Sequence, residues 1–428
     1  MSKASLAQWL ERLETLHPRE IDLGLERVSS VALKMNLLPA TVPVITVAGT
    51  NGKGSTCAVL EAVLMQCGRV VGVSSSPHFL RFNERIRVAG SEVPDELIIA
   101  AFEQIEIARE DISLTYFEFA TLAALWVFRE RAVDVMVLEV GLGGRLDAAN
   151  IVDATVAIVT SIALDHQDWL GDTREQIAVE KAGIFRAGQP AVIADPVPPQ
   201  SLLARANELG VAAHALDRDF FVSEHNTGWT ATLLNVDGSE RKLPLDLAKP
   251  LLPVNIASAL QALLLLGEAF SDEQLLDALE GIKLRGRLEH LEIGGRHYLL
   301  DVAHNLASVD KLLKNIDSSY CNGKTISLFS IMSDKDVRAV VQACSGYFSA
   351  WFLGDQPGNT RAMGAAELAQ ILREEGNQMI SVSKNIRQAF RRAQTVMAEG
   401  DRLVVFGSFF TVAAVLPLLE KDAGKEHL

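Results

Sequence analysis

Cysteine is scarce in this sequence. The 428 residues include only four cysteines, Cys57, Cys67, Cys321 and Cys344. No two of them form a Cys-x-x-Cys pair, and none lies near a His-x-x-x-His pattern, so a structural zinc site or a disulfide framework is unexpected. We therefore expect reduced, buried thiols in a cytoplasmic protein.

An excess of basic residues is also missing. The sequence has 40 Lys and Arg residues against 54 Asp and Glu residues, which gives a net charge of −14. Such a surface repels phosphates, so a nucleic-acid partner is disfavoured. An anionic small substrate remains acceptable, because a single pocket can be basic on an acidic surface.

Segments that would enter or cross a membrane are lacking as well. The N-terminal residues have the spacing of an amphipathic helix and lack the continuous apolar core of a signal peptide. The longest apolar stretch, residues 251–270, contains Asn255, Ser258, Gln261 and Glu268, whose polar groups are costly in lipid. This stretch predicts a buried helix, and we expect no membrane partner.

What the sequence does contain is an alternation of apolar strands and amphipathic helices, which is typical of a mostly parallel sheet covered on both faces. In the first half, strands are predicted at residues 43–48, 70–74, 133–140, 155–162 and 189–194, and helices at 55–67, 117–131 and 175–185. In the second half, strands are predicted at 297–301, 325–331, 350–353 and 402–406, and helices at 308–315, 337–344, 365–375 and 386–398.

The length of the chain predicts more than one domain. We expect an α/β protein with a large P-loop ATPase domain over residues 1–285 and a smaller, Rossmann-like C-terminal α/β domain over 286–428. The boundary is placed in the segment LRGRL, which follows a helical stretch. The charged tail at 420–426 is expected to fray.

The segment from Gly49 to Thr56 is the strongest local signal. A strand runs into a glycine-rich turn, then Lys53, then Ser55 and Thr56 at the start of a helix. Glycines allow backbone N–H groups to approach phosphate oxygens, and a helix N-terminus favours negative charge. Lys53 would reach the β- and γ-phosphates, and a hydroxyl of Ser55 or Thr56 could contact Mg²⁺.

This loop departs from the strict G-x-x-x-x-G-K-[ST] pattern. Val47 occupies the first glycine position, and Gly54 follows the lysine directly. The alternative interpretation is a plain glycine-rich turn with a solvated lysine.

Three polar residues lie at or just past the ends of predicted strands and are candidate magnesium ligands. They are Ser76, Glu139 and His166, and all would emerge at the edge of the sheet that carries the phosphate loop. Each has a structural alternative: a turn or cap for Ser76, an ion pair with an arginine such as Arg145 for Glu139, and a structural role for the histidine. The sequence around Lys181 indicates no functional role and predicts a surface or salt-bridged lysine on a helix.

Taken together, these residues resemble the folylpolyglutamate synthase/dihydrofolate synthase family, relatives of the Mur ligases, in its bacterial bifunctional form. The resemblance extends from IDLGLERV (Ile21–Val28) to VVFGSFFTV (Val404–Val412). Eight strings in family order carry it: VAGTNGKGST, SSPHFLRFNERIRV, DISLTYFEFATLAAL, LEVGLGGRLDAAN, VTSIALDHQDWLG, EKAGIF, GRLEHL and LDVAHN.

The resemblance implies ATP bound between two domains, two Mg²⁺ sites and a carbamylated lysine. It implies ATP contacts at Thr50, Asn51, Gly52, Lys53, Gly54, Ser55, Asn255, Arg287, Asp301 and His304, with Ser408 as a further candidate. It implies one Mg²⁺ on Ser76 and Glu139, another on His166, and a carbamate on Lys181. Lys53, Lys181, His166 and Arg287 would be the catalytic residues.

The implied reaction is the ATP-dependent addition of L-glutamate to dihydropteroate and to reduced folate (poly)glutamates through an acyl phosphate. The implied pteroate or folate pocket comprises Thr15, Leu16, His17 and Pro18, then Thr115, Tyr116, Phe117 and Glu118, then Leu146, Asp147 and Ala148. The family also suggests a monomer. Two positions depart from its usual pattern: Ala149 replaces a threonine and Leu306 replaces a proline.

Two other classes of protein share some of these features. A Mur-type peptidoglycan ligase would share the loop and the second domain, but only 48 residues precede Gly49, too few for a nucleotide-sugar domain. A GTPase-like switch would need an Asn-Lys-x-Asp motif, and the sequence contains no Asn-Lys pair.

Overall fold

The computed structural model describes residues 4–19, 21–225, 228–245 and 251–426, which form two compact units. The first unit runs to Ile282 and leaves out Asp165–Asp168. The second unit comprises Asp165–Asp168 and the chain from Lys283 onward. The proposed domain boundary at residue 285 remains a proposal.

The first unit contains ten α-helices and eleven strands among its described residues. Its helices are α1 (Leu6–Leu16), α2 (Glu26–Lys34), α3 (Lys53–Gln66), α4 (Asp95–Arg109), α5 (Tyr116–Glu130), α6 (Gln167–Leu170, which begins in the segment assigned to the second unit), α7 (Arg174–Ala182), α8 (Gln200–Glu208), α9 (Pro253–Leu265) and α10 (Asp272–Gly281). Its strands are β1 (Val44–Ala48), β2 (Val71–Ser74), β3 (Ile86–Val88), β4 (Ser91–Glu92), β5 (Val135–Glu139), β6 (Val156–Val159), β7 (Pro190–Ile193), β8 (Ala212–Ala215), β9 (Phe221–His225), β10 (Gly228–Leu234) and β11 (Glu240–Leu245). Short 3-10 helices cover Phe82–Arg85 and Ala148–Ile151.

An eight-stranded sheet in the order β4-β3-β2-β5-β1-β6-β7-β8 forms the centre of this unit. Strands β3 and β4 are antiparallel and the other six run parallel. Strands β1, β5 and β6 are buried along their whole length, which is why each reads as an unbroken apolar run. Val47 is paired in register with Glu139, so these two strands end side by side.

A second sheet of the first unit was not predicted. Strands β9, β10 and β11 form an antiparallel sheet whose alternating burial is a weak signal over short segments. Gln261 of the buried helix α9 fixes it, accepting from the N–H of Leu234 and donating to the Leu234 carbonyl, both at 2.9 Å.

The second unit contains five further helices and six strands among its described residues. The helices are α11 (Leu306–Ser318), α12 (Val337–Ala343), α13 (Ala365–Glu374), α14 (Ile386–Val396) and α15 (Phe409–Glu426). The strands are β12 (Glu289–Ile293), β13 (Arg296–Leu300), β14 (Thr325–Phe329), β15 (Trp351–Gly354), β16 (Ile380–Ser383) and β17 (Arg402–Phe406). They form one sheet in the order β12-β13-β17-β14-β15-β16, with only β12 antiparallel.

The predicted α/β class and all the predicted strands and helices are confirmed, with ends shifted by a few residues. The stretch at 251–270 is a buried helix as expected, and no helix among the described residues could span a bilayer. The prediction that residues 420–426 fray is wrong, because α15 continues to Glu426. Ion pairs anchor it: Arg285 binds Glu420 and Arg391 binds Asp422, each at 2.7 Å.

Candidate active site

The turn between β1 and α3 has room only for glycine at two positions. Gly49 has φ +147°, and a Cβ there would lie 1.8 Å from the hydroxyl oxygen of Thr160. Gly52 has φ +94°, and its Cβ would lie 2.7 Å from the amide oxygen of Asn255. The backbone of the turn is therefore pressed between the end of β6 and helix α9.

Hydrogen bonds hold the turn in this shape. The N–H of Thr50 donates to the Ser161 carbonyl at 2.6 Å, and the Thr50 hydroxyl donates to the Ala163 carbonyl at 3.2 Å. The Thr160 hydroxyl donates to the carbonyl of Asn51 at 2.8 Å. Sequence reasoning found Thr50 and Asn51 but missed the segment that holds them, because that segment is more than 100 residues away.

Helix α3 begins directly after the turn and has no side-chain cap, since its N-cap residue is Gly52. Its first N–H groups therefore receive no cap from the N-cap side chain, and they carry the positive end of the helix dipole. Lys53 Nζ folds over the turn and donates to the carbonyls of Gly49 and Thr50, at 2.9 and 3.2 Å. This arrangement can bind an anion such as a phosphate.

Glu139 and Ser76 come together beside this turn. Glu139 is the last residue of β5 and is buried, and the N–H of Ser76 donates to its Oε2 at 3.1 Å. Arg145 forms its ion pair with Glu180, at 2.8 Å between Nη2 and Oε1, so the arginine named as an example of a partner for Glu139 is engaged elsewhere.

The oxygen ligands at this edge of the sheet suit a hard cation that keeps part of its hydration shell. No group of three or more His, Cys, Asp or Glu side chains in the described part of the chain could form a complete metal cage. Mg²⁺ commonly takes one or two protein oxygens and completes its shell with water and substrate phosphates. The Thr56 hydroxyl, in the first turn of α3, is buried without a hydrogen-bond partner in the structure, a further oxygen suited to this edge. Ser76 and Glu139 thus fit Mg²⁺.

Lys181 is not a surface lysine, contrary to what its local sequence suggests. It lies in α7 and is only 3% exposed. The turn at Gly144 and Arg145 covers it: a Cβ on Gly144 would lie 3.0 Å from the Lys181 Cα, and the N–H of Arg145 donates to the Glu180 carbonyl at 2.7 Å. A buried lysine is suited to a change of its charge, because burial penalises the ammonium form.

The resemblance assigns three segments to the pteroate or folate pocket, here called the acceptor segments. The second, Thr115 to Glu118, and the third, Leu146 to Ala148, lie close together. Thr115 caps α5, and Phe117 packs so tightly on Gly141 that a Cβ there would lie 2.6 Å from its ring and 3.3 Å from a carboxylate oxygen of Asp147. Asp147 accepts from the N–H groups of Leu142 and Ala149, at 2.8 and 2.9 Å. Burial raises the pKa of Asp147 to about 6 despite these bonds. Leu146 and Ala148 flank it in the chain.

The first acceptor segment, Thr15, Leu16, His17 and Pro18, spans the C-terminal end of α1 and is linked to α5 through charged side chains. His17 Nε2 lies 3.5 Å from Asp22, Asp22 lies 2.7 Å from Arg27, and Arg27 lies 3.2 Å from Glu118. Glu118 is buried and also accepts from the Thr115 N–H at 2.7 Å, so its carboxylate is engaged within the protein. Asp22 and Arg27 were missed as site residues, although they lie in the IDLGLERV string.

In the second unit, the residues expected to bind ATP surround the start of α11. Asp301 accepts from the N–H groups of Leu288 and Ala303, at 2.8 and 2.7 Å, and burial raises its pKa. The guanidinium of Arg287 lies over the Phe409 ring, with Cζ 5.6 Å from the centroid. Ser408, in contrast, hydrogen-bonds Thr411 at 2.8 Å between hydroxyl oxygens.

His166 belongs to a charged cluster of the second unit. Its neighbour Asp165 forms an ion pair with the buried Lys335 and lies 3.4 Å from His304 Nε2. Burial alone would raise the pKa of Asp165, but the hydrogen bond from His304 and the charge of Lys335 hold it well below its usual range. Burial lowers the pKa of His166 to about 4, which keeps the imidazole neutral, as a metal ligand must be. Lys335 was missed, because no local pattern marks it.

Two family models match the chain. The "Mur ligase middle domain" matches residues 47–242, and the "Mur ligase, glutamate ligase domain" matches residues 286–409. The dihydrofolate synthase/folylpolyglutamate synthase of Escherichia coli K12 is 42% identical over 98% of this chain and 97% of its own length. The chain belongs to the dihydrofolate synthase/folylpolyglutamate synthase family.

Other members of this family are similar over the same extent. The enzyme of the same name from Haemophilus influenzae is 38% identical over 97% of this chain and 98% of its own length. A structure of E. coli FolC in complex with DHPP and ADP has a TM-score of 0.90 at 41% identity and covers 98% of both chains. A bifunctional folylpolyglutamate synthase/dihydrofolate synthase with Mn, AMPPNP and L-glutamate bound has a TM-score of 0.89 at 41% identity, over 97% of this chain and 98% of that one.

Membership in this family confirms the resemblance seen in the sequence. It makes the chain an ATP-dependent, ADP-forming ligase of a family whose solved structures bind ADP, AMPPNP and Mn. The roles of individual residues remain predictions.

Proposed function

We propose that this chain adds L-glutamate to dihydropteroate and to reduced folate (poly)glutamates, with release of ADP and phosphate. The observation that carries the phosphate chemistry is the uncapped N-terminus of α3 with Lys53 folded over the turn before it. The similarity over the full chain to bifunctional enzymes supports both acceptors.

The proposed chemistry overcomes the low reactivity of a carboxylate. The acceptor carboxylate attacks the γ-phosphate of ATP to give an acyl phosphate, and the amine of glutamate then displaces phosphate. Lys53 and the N–H groups at the start of α3 bind the phosphate oxygens and stabilise the negative charge that develops on them. Arg287 is proposed to add a second cation, and Asn255 to support the turn at Gly52.

The remaining ATP contacts are proposed at Thr50, Asn51, Gly54, Ser55, Asp301 and His304. The acceptor is proposed to lie against Thr115, Tyr116, Phe117 and the segment Leu146, Asp147 and Ala148. When bound by Ser76 and Glu139 at one site and by His166 at a second, Mg²⁺ would neutralise phosphate charge. A carbamate on Lys181 would supply an anionic oxygen where an ammonium would repel the metal. We further propose a cytoplasmic monomer with no nucleic-acid or membrane partner.

The test is phosphate release from the purified protein with Mg-ATP and glutamate, with dihydropteroate in one reaction and tetrahydrofolate in another. Glutamate-dependent turnover with both acceptors is expected. Turnover with one acceptor would restrict the proposal to that activity. If folded protein binds ATP but turns over neither acceptor, the folate assignment is wrong.

The role of Lys181 has its own test. Lys181→Ala is expected to lose turnover. If the carbamate forms, the activity of the wild type should also depend on dissolved CO₂ during preparation. Mass spectrometry of the native protein should show the added carboxyl group. Normal turnover by Lys181→Ala would rule the carbamate role out.

A further inference from the structure

Arg85 is an arginine without a carboxylate partner. Its Nε donates to His78 Nδ1 at 2.8 Å, but no acidic side chain in the described part of the chain lies within 4.0 Å of its guanidinium. Two arginines of the same segment behave differently. Arg87 pairs with Glu61 at 2.7 Å, and the 62% exposed Arg81 lies 3.6 Å from Glu92.

Arg85 lies among aromatic rings, and the carboxylates whose charges act on it, Glu139 and Glu84, are beyond ion-pair distance. The side chain is partly buried, with Cζ 5.9 Å from the Phe82 ring centroid and 5.5 Å from that of Tyr116. Burial lowers the pKa of the guanidinium, which nevertheless stays charged. A partly buried guanidinium that forms no ion pair with the protein is suited to binding the negative charge of a ligand.

The hydrogen bond to His78 fixes which nitrogens remain for that ligand. A guanidinium is a donor only, so Nδ1 of His78 accepts the hydrogen bond from Nε of Arg85. The two terminal nitrogens of Arg85 are left without a protein acceptor in the described part of the chain. Two parallel N–H donors match the two oxygens of one carboxylate.

Arg85 contacts both the segment that carries the proposed metal ligand Ser76 and the proposed acceptor pocket. The N–H of Ser75 donates to the Arg85 carbonyl at 3.0 Å, so Arg85 anchors the residue before the proposed metal ligand Ser76. Its ring neighbour Tyr116 belongs to an acceptor segment. Glu139 is among the charges that act on the Arg85 guanidinium.

We propose that Arg85 binds the acceptor carboxylate that becomes phosphorylated, an assignment that rests on the proposed function. Dihydropteroate carries a single carboxylate, so a guanidinium that serves both acceptors must take the reacting one. In the step itself, a carboxylate oxygen forms a bond to the γ-phosphorus while the bond from that phosphorus to ADP breaks, and its electron pair leaves with ADP. Arg85 orients the carboxylate and transfers no proton.

The experiment compares binding of dihydropteroate with binding of its methyl ester, which lacks the negative charge. Full-length wild type, Arg85→Gln and Arg85→Lys are measured by equilibrium titration, with Arg81→Gln as the matched control from the same segment. Wild type and Arg81→Gln should prefer the acid, and Arg85→Gln should lose this preference by roughly 10- to 100-fold. Arg85→Lys should keep part of it, because it retains charge but not the paired donors.

Activity measurements separate the reacting carboxylate from any other. The KM for dihydropteroate and the KM for tetrahydrofolate monoglutamate should rise together in Arg85→Gln, with the KM for ATP unchanged. A rise in KM for tetrahydrofolate monoglutamate alone would overturn the proposal, because it would assign Arg85 to a carboxylate that does not react. An unchanged acid-over-ester preference would also overturn it. Binding of ADP shows that a variant is folded. If Arg85→Gln does not bind ADP, the acid-over-ester preference of Arg85→Lys is used in its place.

Failure of the proposed function has a different signature. Wild-type protein that binds ADP but neither pteridine would remove the folate assignment, and the role of Arg85 with it.

Discussion

Helices α3 and α11 each follow a parallel strand at the carboxyl edge of a sheet, yet their N-termini are built in opposite ways. Helix α3 starts after Gly52 without a side-chain cap. Helix α11 is capped by Asn305, whose side chain accepts from the Ser308 N–H at 3.0 Å, while the Ser308 hydroxyl accepts from the Asn305 N–H at 3.2 Å. A cap and an anion compete for the same N–H groups, so the uncapped helix is the one suited to a phosphate.

The largest expected effect comes from removing the cation that completes the uncapped end. Lys53→Ala should reduce turnover on the order of 100- to 1,000-fold, because charge that develops on the phosphate loses a preorganised partner. Steady-state phosphate release measures it. Lys34→Ala, which removes only a surface ion pair with Glu110, is the control. A Lys53→Ala enzyme within tenfold of wild type would contradict the role given to the turn.

A smaller effect is expected from crowding the turn itself. Gly49→Ala places a Cβ 1.8 Å from the Thr160 hydroxyl, so the turn must shift. We expect it to lower the free energy of unfolding by roughly 1–3 kcal/mol and to weaken ATP binding. Denaturant titration and nucleotide titration measure the two effects.

Gly68→Ala is the matched control for that change. Gly68 also has a positive φ, +78°, but a Cβ there would meet nothing within 4 Å. Gly68→Ala therefore carries the backbone strain without the contact and should leave ATP affinity unaltered. Equal loss of affinity in both variants would show that strain, and not the shape of the turn, is responsible.

The smallest effect is expected at the capped helix. Asn305→Ala should lower the free energy of unfolding by about 1 kcal/mol, the usual cost of an N-cap. Asn385→Ala, which removes the cap of α14, is the comparison, since Asn385 accepts from the Gln388 N–H at 2.8 Å. Denaturant titration that shows no loss for Asn305→Ala would mean that its cap does not stabilise α11.

The features that sequence predicts well are those written in one continuous segment. The turn after β1 could be identified because strand, glycines, lysine and helix are contiguous, and the buried parallel strands because each is one apolar run. Lys181 could not be recognised as buried, because the turn that covers it lies about 35 residues earlier and helical spacing alone suggests a solvent-facing position.

The same reason explains the other omissions. Arg27 and Glu118 are 91 positions apart, and the hydrogen-bonded pair Asp165 and Lys335 is separated by 170 positions. Such ion pairs depend on how the chain folds back on itself. The family resemblance, carried by motifs, reached the proposed ligands but not the residues that orient them.

The partners of Lys53 bear on how tightly a nucleotide can be held. Its ammonium already donates to the carbonyls of Gly49 and Thr50. A phosphate that recruits this ammonium therefore exchanges hydrogen bonds, and the net gain is smaller than the number of new contacts suggests. When the product leaves, the same two carbonyls are ready to receive the lysine. A turn of this kind is suited to repeated binding and release of nucleotide more than to its tight storage.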